Sequence, residues 1–321
     1  MLRLFTIRNG LIKEKTVLDR PFARDEIDMN NVHWIDAHEP TEEERDFLQG
    51  LVRTDIPESD EVEEIEASAR CFEDQAGIHL LSLFLSQTEG RHATVSVAFI
   101  LLPECLITIR EGDLADFRLL RMRARRGQVA CHSPSDLLFT ILEQKVENLA
   151  DILEDIHRRL ETVSSLVLEE DNADLEQAIG DLARLENSNG KIRLCLMDTQ
   201  REISFLLKHF LGAAELQETG RKTMRDVETL MSHTTFLFEK INFLMDSIQG
   251  FINIRQNQII KIFSIAAVVF LPPTLVASIY GMNFRYMPEL DVPYGYPAAL
   301  ALIVLSGIAP YVFFKRKGWL D

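Results

Sequence analysis

Two long uncharged apolar segments follow one another at the C-terminal end of the chain. The first, residues 262–280, has 19 residues, and the second, residues 294–314, has 21 residues. A helix rises 1.5 Å per residue, so the shorter segment would span about 28 Å, close to the hydrocarbon thickness of a bilayer. A buried core helix explains one such segment, but two in succession predict a membrane hairpin. Membrane helices tolerate proline, and the segments contain Pro272, Pro273, Pro297 and Pro310.

Basic residues flank this hairpin on one side of the membrane. Arg255 and Lys261 precede the first segment, and residues 315–317 read Lys-Arg-Lys directly after the second. The connecting loop, residues 281–293, carries one arginine and two carboxylates. The positive-inside rule therefore predicts that both termini lie in the cytoplasm and that the loop lies outside.

The rest of the chain is acidic, and the formal net charge of the whole is −16. An acidic chain is a poor candidate for nucleic-acid binding, which favours a basic surface. The basic run between Arg118 and Arg126 could form a nucleic-acid or lipid patch. Its interleaved apolar residues instead favour an amphipathic helix with a solvated or subunit-facing side. Four scattered cysteines without a CxxC motif are expected to be reduced: Cys71, Cys105, Cys131 and Cys195.

The first 112 residues predict a mixed α/β region. Short segments rich in β-branched and bulky apolar residues predict strands at Leu2–Ile7, Val32–Asp36, Ile78–Leu85, Ala93–Leu102 and Cys105–Ile109. A helix is predicted to start at Thr41, because the next three residues are glutamates and carboxylates suit the first turn of a helix.

After Pro134 the sequence predicts long helices. Ser133 is a plausible N-cap with Pro134 at the first helical position. Breaks are expected near residues 171–172, 187–190 and 212–220, and the last helix is expected to run from about Lys222 into the first membrane segment. A heptad-like seam predicts lengthwise helix packing, either in a hairpin within the chain or in a bundle of identical helices: Leu237, Ile241, Leu244, Ile248 and Phe251.

The sequence lacks the common catalytic motifs. No complete phosphate-binding loop and no His-Glu-x-x-His motif occur, and the eight histidines are not grouped at metal-ligand spacing. We therefore expect no enzymatic activity and no organic cofactor. The acidic run at residues 60–66 is either a solvated helical face or a site for a hard cation, since Mg²⁺ takes oxygen ligands.

A line of small and polar residues follows the first membrane segment. Spaced three and four apart, these residues lead towards Gly281 and Asn283. Such a stripe serves equally well for helix packing in a membrane or for lining a pore. Its members are Asn257, Ile260, Ser264, Ala267, Leu271, Thr274 and Ser278.

The loop motif carries a family resemblance. Tyr280–Phe284 reads Tyr-Gly-Met-Asn-Phe and Met287–Leu290 reads Met-Pro-Glu-Leu. Together, at the end of the first of two C-terminal spans, they resemble the signature of the CorA family of magnesium and cobalt transport proteins. Residues 65–70, 193–200 and 270–277 resemble the enterobacterial-type members in particular.

The resemblance implies an α+β membrane protein of the bacterial inner membrane that assembles as a funnel-shaped homopentamer in the lipid bilayer. Its cargo would be Mg²⁺, with Co²⁺ and possible Ni²⁺ transport, and cytoplasmic Mg²⁺ would also regulate it. The implied regions are a cytoplasmic α/β domain (1–133), a long-helix and stalk region (134–258), a pore-lining span (259–280), an external loop (281–293), a second span (294–314) and a basic tail (315–321).

The resemblance also implies roles for individual residues. Gly281, Met282 and Asn283 match the selectivity motif, while Asn257, Leu271 and Thr274 match permeation positions. Ile260 and Phe263 match the apolar gate. Glu63 and Glu64 match a regulatory acidic pair, with Asp226 as their stalk partner. Two alternatives stay open: a zinc transporter with the same motif, and a membrane-anchored interaction or sensor protein without a pore.

Overall fold

The computed structural model describes residues 1–18, 31–52, 70–88, 90–169, 174–283, 285, 287–288 and 293–318. The chain forms two compact units, Met1–Met245 and Asp246–Asp321. The predicted regulatory residues Glu63 and Glu64, and Phe284 of the loop motif, lie outside the described residues.

The first unit contains a seven-stranded sheet of order β2-β1-β3-β7-β6-β5-β4. Only the β3–β7 pair is parallel among these neighbours; the other pairs are antiparallel. The strands are β1 Leu2–Arg8, β2 Leu11–Leu18, β3 Trp34–His38, β4 Cys71–Glu73, β5 Ile78–Thr88, β6 Arg91–Leu101 and β7 Leu106–Arg110. The five predicted strands are thus confirmed, within one to three residues at most ends.

The two strands that the sequence did not predict, β2 and β4, are the two edges of the sheet. An edge strand is less enclosed than a central one and often carries charges, so its apolar pattern is weak. β2 contains three charged or strongly polar side chains in eight residues. Its hairpin with β1 turns at Asn9 and Gly10, whose φ angles are 53° and 70°, as a two-residue hairpin loop requires.

The helices among the described residues are α1 Glu42–Val52, α2 Ala115–Arg125, α3 Pro134–Glu169, α4 Leu175–His209, α5 Ala214–Tyr280 and α6 Gly295–Arg316. α1 begins one residue after the predicted start at Thr41. Ser133 caps α3 as predicted, because its hydroxyl accepts a bond from the Asp136 backbone N–H at 3.1 Å.

Two predicted features of the helices were wrong. Residues 187–190 do not break a helix, because they lie inside α4. Asn189 is buried there and donates from Nδ2 to the Thr234 carbonyl of α5 at 2.9 Å. This polar side chain therefore bonds to another helix and does not mark a loop. The last helix begins at Ala214 rather than near Lys222, and it includes Gly220.

The heptad-like seam of α5 is buried over most of its length. Leu237, Ile241, Leu244 and Ile248 are buried, whereas Phe251 is one-third exposed (36%). The four cysteines are free thiols, as expected.

The arginines of α2 are largely engaged in contacts within the chain. Arg121 donates to the buried carboxylate of Asp36 at 3.1 Å, which Arg110 also contacts at 2.9 Å. Arg125 contacts Glu14 and Arg118 contacts Asp113. The run therefore forms an amphipathic helix, and most of its charges are paired within the chain.

Candidate functional site: the membrane hairpin and its loop

The second unit contains two helices long and apolar enough to cross a membrane, the C-terminal part of α5 and all of α6. Both match the predicted segments, and α5 ends at Tyr280 as expected. Neither Pro272 nor Pro273 interrupts α5.

Small residues of α6 bring it close to α5. The half-buried or buried positions of α6 include Ala299, Ser306 and Gly307. A Cβ atom added at Gly307 would lie 3.2 Å from Cγ of Pro273 and 3.7 Å from the carbonyl oxygen of Val269. Because residue 273 is proline, that carbonyl has no backbone N–H four residues on. Small residues at such contacts are typical of helix packing in membranes.

The half-buried residues of α5 in this stretch lie on one face of the helix, and that face is the one near Gly307. They recur at three- and four-residue intervals: Ile265, Ala266, Val269, Pro272, Pro273, Val276 and Tyr280. This face accounts for packing within the hairpin.

The predicted stripe of small and polar residues lies on the opposite face. At about 100° per residue, its members cluster about 180° around the helix from Val269. All of them are exposed in the single chain, and Leu271 is exposed to 66%. Thr274 keeps its hydroxyl bonded to the Phe270 carbonyl of the previous turn at 2.7 Å. The stripe is therefore not the surface on which α6 packs.

The loop motif begins where α5 ends. The Gly281 N–H donates to the Ala277 carbonyl at 2.9 Å and the Met282 N–H to the Ile279 carbonyl at 3.3 Å, which closes the last turn. Gly281, Met282 and Asn283 are all exposed.

The predicted gate and permeation residues near the other end of the span lie on the same helix. Asn257, Ile260 and Phe263 are exposed, with Phe263 exposed to 71%. Asn257 and Ile260 belong to the stripe, and Phe263 lies about 60° beside it by the same helical periodicity.

Comparison with known proteins identifies the family of this chain. A sequence model described as CorA-like Mg²⁺ transporter protein matches residues 30–316. The chain belongs to this family. It is 47% identical over 292 residues to the magnesium transport protein CorA of Escherichia coli (strain K12), covering 90% of this chain and 92% of that protein. Against the CorA of Salmonella typhimurium it is 45% identical over 309 residues, covering 96% and 98%.

The fold agrees with a complete CorA structure. The magnesium transporter from Methanocaldococcus jannaschii superposes with a TM-score of 0.78, at 22% identity and with 99% of this chain and 98% of that one covered. The predicted CorA resemblance, including its enterobacterial side, is therefore confirmed, as is the fold class of an α/β domain, a long helix and two C-terminal apolar helices.

The regulatory acidic site predicted from the sequence lies only partly within the described residues. Asp226 of α5 lines a groove of about 270 Å³ with Glu143 and Glu147 of α3. Lys222 lines it as well and donates to Glu143 at 2.7 Å. Among the residues that the structure describes, no three His, Cys, Asp or Glu side chains are grouped to hold a metal ion.

The two glutamates of this groove were not identified from the sequence. Their spacing of four residues on a predicted helix is the signal that places both on one face. Nothing in the sequence connects that face with Asp226, which is about 80 residues away on another helix.

Proposed function

We propose that this chain is the subunit of a Mg²⁺ channel that also admits Co²⁺ and Ni²⁺. The observation that carries the proposal is the stripe of small and polar residues on the face of α5 away from α6, ending at Gly281. Packing within the hairpin leaves this face uncovered. In a symmetric assembly the same face of each subunit would line a common axis.

A single hairpin cannot enclose a water-filled path, so the proposal requires an oligomer, and the family resemblance favours five copies. Residues 259–280 would line the pore and residues 294–314 would surround it in the inner membrane. Residues 1–133 and 134–258 would form the cytoplasmic α/β domain and stalk. Both termini, with the basic tail 315–321, would be cytoplasmic, and the loop 281–293 would face outward, in line with the positive-inside rule.

Asn283, with Gly281 and Met282, would form the selectivity filter at the outer mouth. Mg²⁺ gives up its inner-shell waters reluctantly. A ring of amide oxygens can accept hydrogen bonds from those waters without removing them. Leu271, Thr274 and Asn257 would line the path below the filter. Ile260 and Phe263 would close it by an apolar constriction, a device that gates other channels by dewetting.

The membrane potential would drive uptake without a catalytic step. Each elementary charge gains about 2.3 kcal/mol per 100 mV, so a divalent ion gains about 4.6 kcal/mol. Cytoplasmic Mg²⁺ would bind between subunits near Glu63, Glu64 and Asp226 and hold the channel closed. Without the ion, the carboxylates would repel one another and loosen the stalk.

Flux into liposomes tests the proposal. The purified protein is reconstituted at low internal Mg²⁺, an inside-negative potential is applied, and Mg²⁺ entry is followed with an internal dye. We expect Asn283→Ala to lower the flux about ten-fold or more. Asn242→Ala, the same change at an exposed position of α5 far from the loop, is the matched control and should conduct normally.

Light scattering on each variant establishes that assembly is intact. Zn²⁺ flux without Mg²⁺ flux would support the zinc alternative. Absence of any flux from the unsubstituted oligomer would support a non-conducting anchored protein. Equal flux through the Asn283→Ala and Asn242→Ala variants would refute the role of Asn283.

A further inference from the structure

A seam between α3 and α5 in the first unit combines two ion pairs with two histidines. Lys222 of α5 donates to Glu143 of α3 at 2.7 Å, and Lys240 of α5 contacts Glu161 of α3. Both pairs join residues 79 positions apart, as two helices running parallel in register would give. The histidines lie between these ion pairs.

His157 of α3 and His233 of α5 face each other across this seam. Their ring centroids are 5.5 Å apart and the ring planes are inclined by 55°. Phe236, one turn beyond His233, lies 6.3 Å from the first ring and 6.4 Å from the second. Nδ1 of His157 is buried and has no hydrogen-bond partner among the residues that the structure describes. The contact is thus made by two imidazoles and an aromatic ring, and no ion pair or hydrogen bond joins the two rings directly.

Burial, and secondly the neighbouring His157, lower the pKa of His233. A histidine with a lowered pKa is mainly neutral at pH 7. Below the ordinary histidine pKa the folded protein therefore binds fewer protons than the unfolded chain. The stability that this contact contributes is fully present above that pKa. It is lost as the pH falls below about 6.5.

The charged groups around the pair come from three helices. Glu154, one turn before His157, favours protonation of His233. On α3, Arg158 and Arg159 are paired with Asp155, and Glu161 with Lys240 of α5. From α4, Arg193 donates to the Thr235 hydroxyl at 2.8 Å. Glu161 also interacts with His157, but Lys240 already neutralises this carboxylate. Glu154 can therefore offset one added proton, but a second proton would leave two cations facing each other.

We propose that His157 and His233 form a pH-sensitive latch that holds α5 against α3 when both rings are neutral. Protonation of both rings opens it. Two unit charges 5.5 Å apart, at an effective dielectric constant near 20, would weaken the contact roughly 150-fold. Solvent and salt around the partly exposed rings reduce this to about ten-fold.

The latch also has a consequence for transport, which rests on the proposed function. α5 is one helix from Ala214 to Tyr280, so the residues that contact α3 and the proposed pore-lining segment belong to the same helix. Acidification of the cytoplasmic side would release the contact between α5 and α3. More cytoplasmic Mg²⁺ would then be needed to close the channel.

Hydrogen exchange on the full-length protein in detergent tests the latch without relying on transport. Protection factors, which are corrected for the intrinsic effect of pH on exchange, are compared at pH 7.5 and 5.5 for α5 peptides that cover residues 228–240. We expect protection to fall about ten-fold in the unsubstituted protein and less than about two-fold in His157→Gln/His233→Gln. His132→Gln, which removes an exposed imidazole outside the seam, should behave like the unsubstituted protein.

An equal fall in the double variant, or no fall in the unsubstituted protein, would overturn the latch. If the double variant does not fold, His157→Gln alone removes the facing charge and should reduce the fall in the same direction. Liposome flux at the two pH values then tests the consequence: the Mg²⁺ concentration that halves the flux should rise at pH 5.5 only where the latch is intact. If hydrogen exchange changes with pH as expected but the unsubstituted protein shows no Mg²⁺ flux, the proposed function is refuted and the latch is still supported.

Discussion

Gly220 lies where α5 meets both α3 and α4, so a substitution there tests how closely α5 packs on these two helices. A Cβ atom added at this position would lie 2.8 Å from Cδ2 of Leu207 on α4 and 2.9 Å from Cε1 of Phe139 on α3. Both distances are shorter than carbon atoms tolerate, and Phe139 is fully buried. We therefore expect Gly220→Ala to force two helices apart or distort their side chains.

The magnitude follows from two opposing effects. Alanine is favoured over glycine in a helix interior by about 1 kcal/mol. Overpacking of a filled site costs about 1–3 kcal/mol. The net change should be a loss of about 1 kcal/mol, with Gly220→Val losing more. Gly180→Ala in α4 is the matched control, because no atom of the described residues lies within 4 Å of its added Cβ. This variant should gain up to about 1 kcal/mol.

Tryptophan fluorescence provides the assay. The chain has two tryptophans, and Trp34 is fully buried, with its ring stacked on Phe5 at a centroid distance of 4.2 Å. In a Trp319→Phe background, Trp34 alone reports the unfolding of the first unit in detergent. For a unit of this size, 1 kcal/mol shifts the melting temperature by about 2–4 °C. A melting temperature for Gly220→Ala as high as that for Gly180→Ala would refute the close packing of α5 on α3 and α4.

Two further predictions concern carboxylates. Burial raises the pKa of Asp116 to about 6. Between about pH 4 and 6 the folded protein therefore binds more protons than the unfolded chain. The stability that Asp116 contributes falls as the pH rises through that window. Asp116→Asn should therefore be more stable than the unsubstituted protein at pH 8, by up to about 3 kcal/mol, and the difference should vanish near pH 4; denaturant unfolding measures it, and a difference independent of pH would contradict it. Glu63→Ala/Glu64→Ala should weaken closure by internal Mg²⁺ in the liposome assay, and unchanged inhibition would exclude this pair as the regulatory site.

Local sequence signals predicted much of the first unit, but not its edges. The central strands have enough consecutive apolar residues to be identified, whereas β2 and β4 are edge strands with weak patterns. The Asn9-Gly10 pair is a strong hairpin signal that would have identified β2. The polar residues around Asn189 suggested a loop, because a buried hydrogen bond to Thr234 depends on a helix that lies 45 positions away in the chain.

The contacts between long helices depend on register, which the sequence does not reveal. His157 and His233 are unremarkable when each is considered in its own helix. They become neighbours because α3 and α5 run parallel with a constant offset, and that offset is fixed by the length of α4 and its two connections. Glu143, Glu147 and Asp226 share a groove for the same reason. Pairs of this kind require the tertiary arrangement, since no local pattern contains them.

The stripe on α5 shows what the structure adds to a motif. Small and polar residues at helical spacing suit both packing and a pore, and composition cannot separate these uses. In the structure, packing with α6 uses the face of Val269 and Pro273, which lie against Gly307, while Leu271 and Thr274 are directed away from that contact. The Thr274 hydroxyl already bonds to the Phe270 carbonyl, so the exposed polar groups that lipid cannot satisfy are the Asn257 and Asn283 amides at the two ends of the stripe. These amides require either a second helix or water. A neighbouring subunit across an aqueous axis provides both, so the unpartnered face and the loop motif at its end support the same assembly.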